Sequence, residues 1–417
     1  MRIAVFTDSF LPYICGATFA LINQANALAE RGHQICIFCP GGSKRKKHLA
    51  RSIELHPSIE VVRVPWSLPW GGQPDLNIVI PFWWPTLRRA RAFAPDVIHT
   101  HTEWSTGWVA QFVGWRLRVP VVGTFHTFWD DERYIRHFPV PNWPVTRRAM
   151  GAFSAWYYRR CAVTLAPSKS VQSHMAKRGL SAAIVSNGIP RPTRVDDAQL
   201  AAKRTALGLG DRLTFLYLGR ISFEKSLTVC LDAFKSVLAT HPDARFVLIG
   251  GGPDEARIDA HAAALGLGDT VVRTGSVVHE QLMAENLPRI GDIFITASET
   301  ENQPISVLEA MAFGLPVIGP RARGVPELVE DGVNGRIFAP GDAQELAAHM
   351  RELADDPVKR ARMAAAAEAT ARHHFIDHSA VLLEQVYTAC LAELGRPVTA
   401  VPGSPAADAA PSLRRSA

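Results

Sequence analysis

Short runs rich in Val, Ile and Leu recur along the chain with enough sequence between them for crossover connections. RIAVFTD at the start is followed by a stretch from Ala17 to Arg31 in which Leu21, Ala25 and Leu28 repeat at helical spacing, closed by Gly32. QICIFCP, IEVVRVP, DVIHTHT, VPVVGTFHT, AVTLAPS and AAIVSNG come next, each with the pattern of a buried strand. A continuous apolar run is what a strand covered on both faces requires, so the pattern predicts a parallel, doubly wound sheet.

The segment IPRPTRVDDAQ, Ile189 to Gln199, is rich in Pro and charge and interrupts this pattern; a linker is expected there. The alternation then restarts with LTFLYLGR, ARFVLIGGG, TVVRTGS, DIFITAS and PVIGP. From Ala343 to Leu394 the chain is Ala-rich and helical, with breaks near Pro357 and Asp377, and from Arg396 to Ala417 it has little to bury. The expected organisation is α/β, with two Rossmann-like doubly wound domains facing across a cleft. Residues 1–190 form the first and residues 191–375 the second; a helix at 376–395 packs back toward the first, and 396–417 is a disordered tail. Open α/β sheets bind ligands outside the carboxyl ends of their strands, so the active site is expected in the cleft.

Composition narrows the class. The 417 residues are 47% apolar and 20% charged, which excludes a disordered protein, a collagen-like chain and a small disulfide scaffold. The net charge of +6 hides an asymmetry: residues 1–190 carry 22 Lys/Arg against 10 Asp/Glu, the remainder 23 against 29, and all ten Trp lie between Trp66 and Trp156. A basic, Trp-rich half points to an anionic surface, membrane or nucleic acid. The six Cys are scattered, and Cys36 and Cys39 lie within a strand pattern where buried thiols are expected, as in a reducing cytoplasm. MRIAVFTDSF does not read as a signal peptide, and no apolar run reaches the roughly 18 residues of a spanning helix, so a membrane would be met from its surface.

Candidate chemistry concentrates in the second half. GRISFEKS, Gly219 to Ser226, follows a strand and opens a helix; a glycine admits a phosphate to the backbone, a helix N-terminus offers N–H donors, and Arg220 and Lys225 can offset a diphosphate. In SETENQPISVLEAMAFGLPVIGP, Pro304 marks a helix start. Glu301 would then lie in the loop before it and Glu309 within its first turns, as acceptors for sugar hydroxyls. Taken alone, these stretches also fit a solvated turn and a solvated Glu pair.

The order GRISFEKS, IGGGPDE, TGSVVHEQL, SETENQPISVLEAMAFGLPVIG resembles the donor domain of the retaining GT-B glycosyltransferases that carry a Glu, seven residues, Glu motif, the group 1 type. DSFLPYICGATFALINQANALAERGHQ, with HTHTEW and GTFHT, looks like their acceptor domain, so the resemblance covers about residues 1–390. It implies that Arg220 and Lys225 hold the donor diphosphate and stabilise the departing nucleotide, and that Glu309 binds the ribose. Glu301, with the backbone of Asn302 and Gln303 after it, would hold hydroxyls of the transferred sugar. Gly16, Gly219 and Gly251 would be loop glycines of the donor site, and His126 of GTFHT would face the sugar, unless it is simply a core histidine. The family needs no metal for transfer, so no cofactor is expected beyond the nucleotide-sugar co-substrate. His99 and His101 share a strand face but lack a third zinc ligand of suitable spacing, so His101 is expected to line the acceptor cleft. Asp130, also readable with Asp131 as a metal-diphosphate pair, is placed on the acceptor side.

This chain departs from the family pattern at four points. Ala17 follows Gly16 where a second Gly is usual, Ser226 replaces the Gly after Lys225, Gly251 replaces an acid, and Asn302–Gln303 replaces Phe-Gly. The last change leaves the donor sugar open.

In RRAMGAFSAWYYRR, Met150, Phe153 and Tyr157 fall at i, i+3 and i+7, and Arg147, Arg148, Arg159 and Arg160 flank them beside Trp156. That is a basic amphipathic helix suited to an anionic lipid surface, although the same stripe fits a helix packing on the core. Lys44 to Lys47, KRKK, adds a basic loop, and Trp66, Trp70, Trp83 and Trp84 add aromatic anchors. With N-terminal features resembling the diacylglycerol glucosyltransferase branch, these imply hexosyl transfer from a nucleotide diphosphate sugar, UDP-glucose type or GDP-mannose, to a membrane lipid such as diacylglycerol. The enzyme would be cytoplasmic and peripheral at the inner face of the cell membrane, with no nucleic-acid partner. Rival readings are transfer to a soluble glycan or polysaccharide intermediate, and a nucleotide-sugar epimerase or hydrolase on the same scaffold. A non-catalytic binding protein is disfavoured by the retained Arg220, Lys225, Glu301 and Glu309. An NAD enzyme is disfavoured by the lack of G-x-G-x-x-G after the first strand.

Overall fold

The structure, a computed structural model, describes residues 1–13, 15–41, 54–64, 66–70, 73–80, 83–135 and 141–395. The KRKK stretch and the 396–417 tail lie outside the described residues. The chain divides into two compact units, Met1–Gly188 with the segment from Ile376 onward, and Ile189–Phe375.

In the first unit β1 (Arg2–Phe6), β2 (Gln34–Pro40), β3 (Ile59–Val64), β6 (Val97–Thr100), β7 (Val121–Thr124), β8 (Val163–Ala166) and β9 (Ala183–Ile184) form one parallel sheet, ordered β3-β2-β1-β6-β7-β8-β9. Along β1, Ile3 and Val5 enter one apolar core while Ala4 and Phe6 enter another on the opposite face. Burial on both faces is why the strand reads as a continuous apolar run. Phe6 stacks on its register partner Phe38 at 4.7 Å. The sequence pattern missed a small antiparallel pair, β4 (Ser67–Trp70) and β5 (Gln73–Val79), because Pro and Trp break the strand pattern there.

The helices that position functional residues in this unit are α1 (Gly16–Glu30), α2 (Trp84–Phe93), α3 (Ser105–Leu117) and α4 (Pro144–Tyr158). The last helix among the described residues, Ile376–Glu393, belongs to this unit. Its Leu383, Val386 and Tyr387 enter the core beside Leu21 and Leu28 of α1. The buried Glu384 accepts two hydrogen bonds from the Arg31 guanidinium, at 2.8 and 2.6 Å, and lies 2.7 Å from His33 Nε2. Burial would raise the pKa of this carboxyl, but Arg31 and His33 outweigh it and hold it below the usual range.

The second unit repeats the plan with β10 (Thr214–Leu218), β11 (Arg245–Ile249), β12 (Val271–Gly275), β13 (Ile293–Ile295), β14 (Val317–Pro320) and β15 (Gly335–Phe338), all parallel, ordered β12-β11-β10-β13-β14-β15. The sequence pattern did not register β15, a four-residue edge strand opened by Gly335. In this unit α5 (Leu227–Val237), α6 (His279–Ala284) and α7 (Ile305–Ala312) carry the residues of interest. The expected linker is tied down over its first half: Asn286 accepts a hydrogen bond from Val195 N and donates to Thr193 O, and Asp196 then caps a helix that starts at Asp197. In both sheets the strand order reverses beside the first strand, at β1/β6 and at β10/β13, the switch points where open α/β sheets form crevices.

Candidate active site

The second switch point brings together residues far apart in the chain. GRISFEKS leaves β10 and SETENQP leaves the neighbouring β13, so Lys225 and Glu301 meet although 76 residues separate them, with Nζ 2.5 Å from Oε1. Burial works against both charges, and each charge offsets it for the other. The Lys225 pKa is therefore held above its ordinary value and that of Glu301 below its own. Both groups remain ionised through neutral pH. Arg220 is half-buried two residues after β10 and forms no ion pair among the described residues. Two cations and one carboxylate thus stand at the carboxyl end of β10 and β13.

Backbone geometry makes the loops here close-fitting. Gly219 N donates to Ile249 O and Ile221 N to Gly251 O, which joins the loop after β10 to the loop after β11. A Cβ at Gly250, where φ is +135°, would lie 2.0 Å from Gly219 O, and one at Gly252 would lie 2.1 Å from Ile221 O. At Gly251 a Cβ would meet side-chain atoms of Ser276 and Glu255 rather than backbone. An acid reaches this loop from the start of the following helix: Glu255 Oε1 accepts from Gly252 N at 2.6 Å, and Arg273 pairs with Glu255 at 2.8 Å. Beyond Glu301, Gly324 N donates to Glu301 O, and a Cβ at Gly324 would lie 2.1 Å from Asn302 O, so the 301–302 backbone is braced from behind. Gln303 is buried and Asn302 half-buried.

GRISFEKS does not pass straight from strand to helix. A 3-10 turn, Phe223–Lys225, comes first, and Ser226 follows it in the left-handed region at φ +50°, ψ +38°. That conformation explains a glycine preference at this position. Left-handed backbone costs a side-chain-bearing residue about 1 kcal/mol, partly offset by the larger entropy that Gly loses on folding. Ser226→Gly is expected to raise the thermal midpoint by up to about 4 °C, the equivalent of about 1 kcal/mol for a unit of this size, without loss of activity. A lower midpoint on thermal unfolding would contradict this.

Glu309 is on the second turn of α7, after Pro304 as N-cap. It is buried, and His279 Nε2 lies 2.5 Å from its Oε1. His279 and Glu255 were both inside quoted motifs, HEQL and PDE, but nothing in their spacing marked them as partners.

In the first unit Gly16 opens α1 and is exposed. His101 Nδ1 and His126 Nε2 are 2.9 Å apart, so one carries the hydrogen that the other accepts. His101, expected to line the acceptor cleft, is buried, and its ring stacks on that of the half-buried His126. His99 has both ring nitrogens engaged, with Thr124 Oγ1 and Tyr387 Oη each at 2.7 Å, which leaves it no nitrogen for a metal. Burial pushes the pKa of His99 down to about 3 and of His126 to about 4, so both rings are neutral at physiological pH. Nearby, Asp8 accepts from Thr102 Oγ1, Ser105 Oγ and Thr106 N across the β1/β6 switch point. The sequence did not single it out. Asp130, expected on the acceptor side, is paired with Arg178 and His174 of its own unit. Among the described residues no group of three or more His, Cys, Asp or Glu is arranged to hold a metal ion.

The amphipathic stripe on α4 faces inward. Tyr157 is fully buried and donates to Gly107 O at 3.1 Å, and Phe153 packs on Trp104 and Trp108. The sequence periodicity identified an apolar face; packing against α3 uses that face for the core. Arg147 pairs with Glu132, Arg159 donates to Arg178 O, and Arg148 is exposed. The exposed aromatic groups form a different surface. Trp84 of α2 (60% exposed) and Trp115 of α3 (72%) both contact Phe112, while Trp156 of α4 (43%) packs on Trp108, one turn before Phe112. Arg116 lies over the Trp115 ring and Arg160 over that of Trp156. No helix of the described residues is long and apolar enough to cross a membrane.

Comparison with known proteins joins the two halves. Residues 14–191 match the family described as Glycosyltransferase Family 4, and residues 201–370 match Glycosyl transferases group 1. The alpha-monoglucosyldiacylglycerol synthase of Acholeplasma laidlawii is 29% identical over 370 residues, which is 86% of this chain and 89% of that protein. The sulfoquinovosyl transferase SQD2 of Arabidopsis thaliana is 28% identical, covering 94% and 74%. Among solved structures, Anabaena HepE in complex with UDP superposes with a TM-score of 0.74 at 22% identity, over 93% of this chain and all of that one. With two Rossmann-like sheets, cations after β10 and the Glu pair around α7, the chain belongs to the group 1, family 4 glycosyltransferases, retaining nucleotide-sugar-dependent enzymes of the GT-B fold.

Proposed function

We propose that this enzyme transfers a hexose from a nucleotide diphosphate sugar, of UDP-glucose or GDP-mannose type, to a membrane lipid such as diacylglycerol. As the bond between the anomeric carbon and the phosphate oxygen breaks, the electron pair leaves with the diphosphate. Arg220 and Lys225 offset that charge in a partly water-excluded site, where fixed cations stabilise more than they do in bulk solvent. Glu301, ionised by its Lys225 partner, accepts hydroxyls of the transferred sugar, Glu309 takes the ribose, and His126, neutral, contacts the sugar. The acceptor hydroxyl forms the new bond on the face the nucleotide leaves, as retention requires, and its proton passes to the departing diphosphate oxygen on that same face.

The observation that carries the lipid acceptor is the aromatic and basic face of α2, α3 and α4. Tryptophan with arginine over its ring suits the boundary between headgroups and acyl chains, and residues 1–190 supply the positive field for anionic lipid. The alpha-monoglucosyldiacylglycerol synthase relative supports the same class. Incubation with a panel of nucleotide sugars and total membrane lipid, with the product identified by mass, is expected to yield one glycolipid. Flotation with phosphatidylglycerol vesicles should exceed flotation with phosphatidylcholine vesicles and fall in 0.5 M salt, where the Debye length is roughly 4 Å. It should also be lost in a Trp84→Ser, Trp115→Ser, Trp156→Ser variant. A product found only on a soluble glycan, or equal flotation with both vesicles, contradicts the lipid reading; donor consumption with no acceptor product favours a hydrolase or epimerase.

A further inference from the structure

The pairing of His279 with Glu309 goes beyond these assignments and rests on the reading of Glu309 as the ribose acceptor. Glu309 projects from the second turn of α7 with its side chain only 4% exposed, and His279, the first residue of α6, is 13% exposed. A carboxylate removed from water needs a charged or hydrogen-bonding partner, and among the described residues His279 is the one side chain paired with Glu309. Burial alone would lower the His279 pKa, but Glu309 and Glu280 more than offset it and hold it above the ordinary imidazole value.

The contact is made through one atom pair, Nε2 to Oε1 at 2.5 Å. Among the described residues Oε2 of Glu309 has no hydrogen-bond partner. A Glu side chain has three rotatable bonds, and a fixed donor at one oxygen removes most of that freedom before a ligand arrives, which is the condition for reading small differences between ligands. A site that accepts hydroxyl hydrogen bonds discriminates strongly against an analogue lacking one of them only when its acceptor is held in place.

We propose that His279 is a positioning residue for nucleotide recognition, pinning Oε1 of Glu309 so that the carboxylate meets the ribose hydroxyls of the donor in one orientation. Its role is thus in telling ribonucleotides from deoxyribonucleotides, and it acts on donor affinity more than on turnover.

The test is calorimetric titration of the full chain with UDP, 2′-deoxy-UDP, GDP and 2′-deoxy-GDP, using the pair whose ribonucleotide binds the wild type more tightly. The wild type should favour the ribonucleotide by about tenfold or more, a loss of the size expected when one buried hydrogen-bonding group goes unpaired. His279→Leu should weaken ribonucleotide binding by about that factor and bring the ratio close to one, with KM for the donor raised and kcat changed far less. Gln places an amide nitrogen near the position of Nε2 and Asn does not, so His279→Gln should keep most of the discrimination and His279→Asn should lose it. These two variants decide the matter if His279→Leu does not fold. A wild-type ratio in His279→Leu, or equal ratios in the Gln and Asn variants, overturns the proposal. Glu309→Ala separates the two readings. If it abolishes discrimination while His279→Leu does not, only the positioning role fails; if it leaves the ratio unchanged, the ribose assignment fails and the proposal with it.

Discussion

Replacing Lys225 with alanine is expected to lower kcat for sugar transfer by a factor of about 100 or more, the usual cost of removing one fixed donor from the site of developing charge. The Lys225 ammonium is held charged by Glu301 at 2.5 Å, and both side chains are partly buried. The substitution also leaves the Glu301 carboxylate without this partner, which costs stability by about 1–3 kcal/mol. The two effects can be separated. Lys225→Met retains the apolar stem, and Lys225→Met with Glu301→Gln removes both charges together. The double variant should recover most of the lost thermal stability and none of the lost turnover. Turnover near the wild-type value in Lys225→Ala would sink the assignment of this residue to the leaving diphosphate.

Gly250→Ala should be the most damaging single-methyl change in the donor unit. The residue has a φ of +135°, which side-chain-bearing residues rarely adopt, and its added Cβ would lie 2.0 Å from Gly219 O and 2.9 Å from Gly219 C. The neighbour cannot simply turn aside, because it is backbone held by hydrogen bonds from Gly219 N to Ile249 O and from Ile221 N to Gly251 O. Relief requires breaking the junction between the two loops that present Arg220. Strain and clash together should cost about 3 kcal/mol or more, a fall of roughly 10 °C in the thermal midpoint of a unit of 187 residues, with loss of nucleoside diphosphate binding. Gly251→Ala is the control: its Cβ meets side-chain atoms of Ser276 and Glu255 rather than backbone, and its effect should be smaller. Equal midpoints for Gly250→Ala and the wild type would contradict the close-approach account.

The apolar runs were legible because a parallel sheet buries both faces of its strands, and β1, β2, β10 and β11 are read as strands without knowledge of their neighbours. The motifs carrying Arg220, Lys225 and the two Glu residues were legible because each directly follows a strand or enters a helix, so their placement is local. Side-chain partners were not. Glu309 meets His279, and Gly252 meets Glu255, through the packing of α6, α7 and the loop after β11, and residue spacing carries no record of that packing.

The same division explains the acceptor side. Periodicity along α4 correctly marked Phe153 and Tyr157 as one face, but period alone cannot tell a face turned to the core from one turned to a membrane, since both are apolar. Contact with α3 made the choice, burying Tyr157 and leaving Trp84, Trp115 and Trp156 outside. The amino-acid sequence by itself determined the strands of the two parallel sheets apart from β15, and the charged motifs that follow β10 and β13, because strand burial and motif order are written in neighbouring residues. Only the tertiary structure decided which histidine meets which carboxylate, which glycine has no room for a methyl group and which tryptophans stay exposed, because those follow from the three-dimensional proximity of segments distant in the chain.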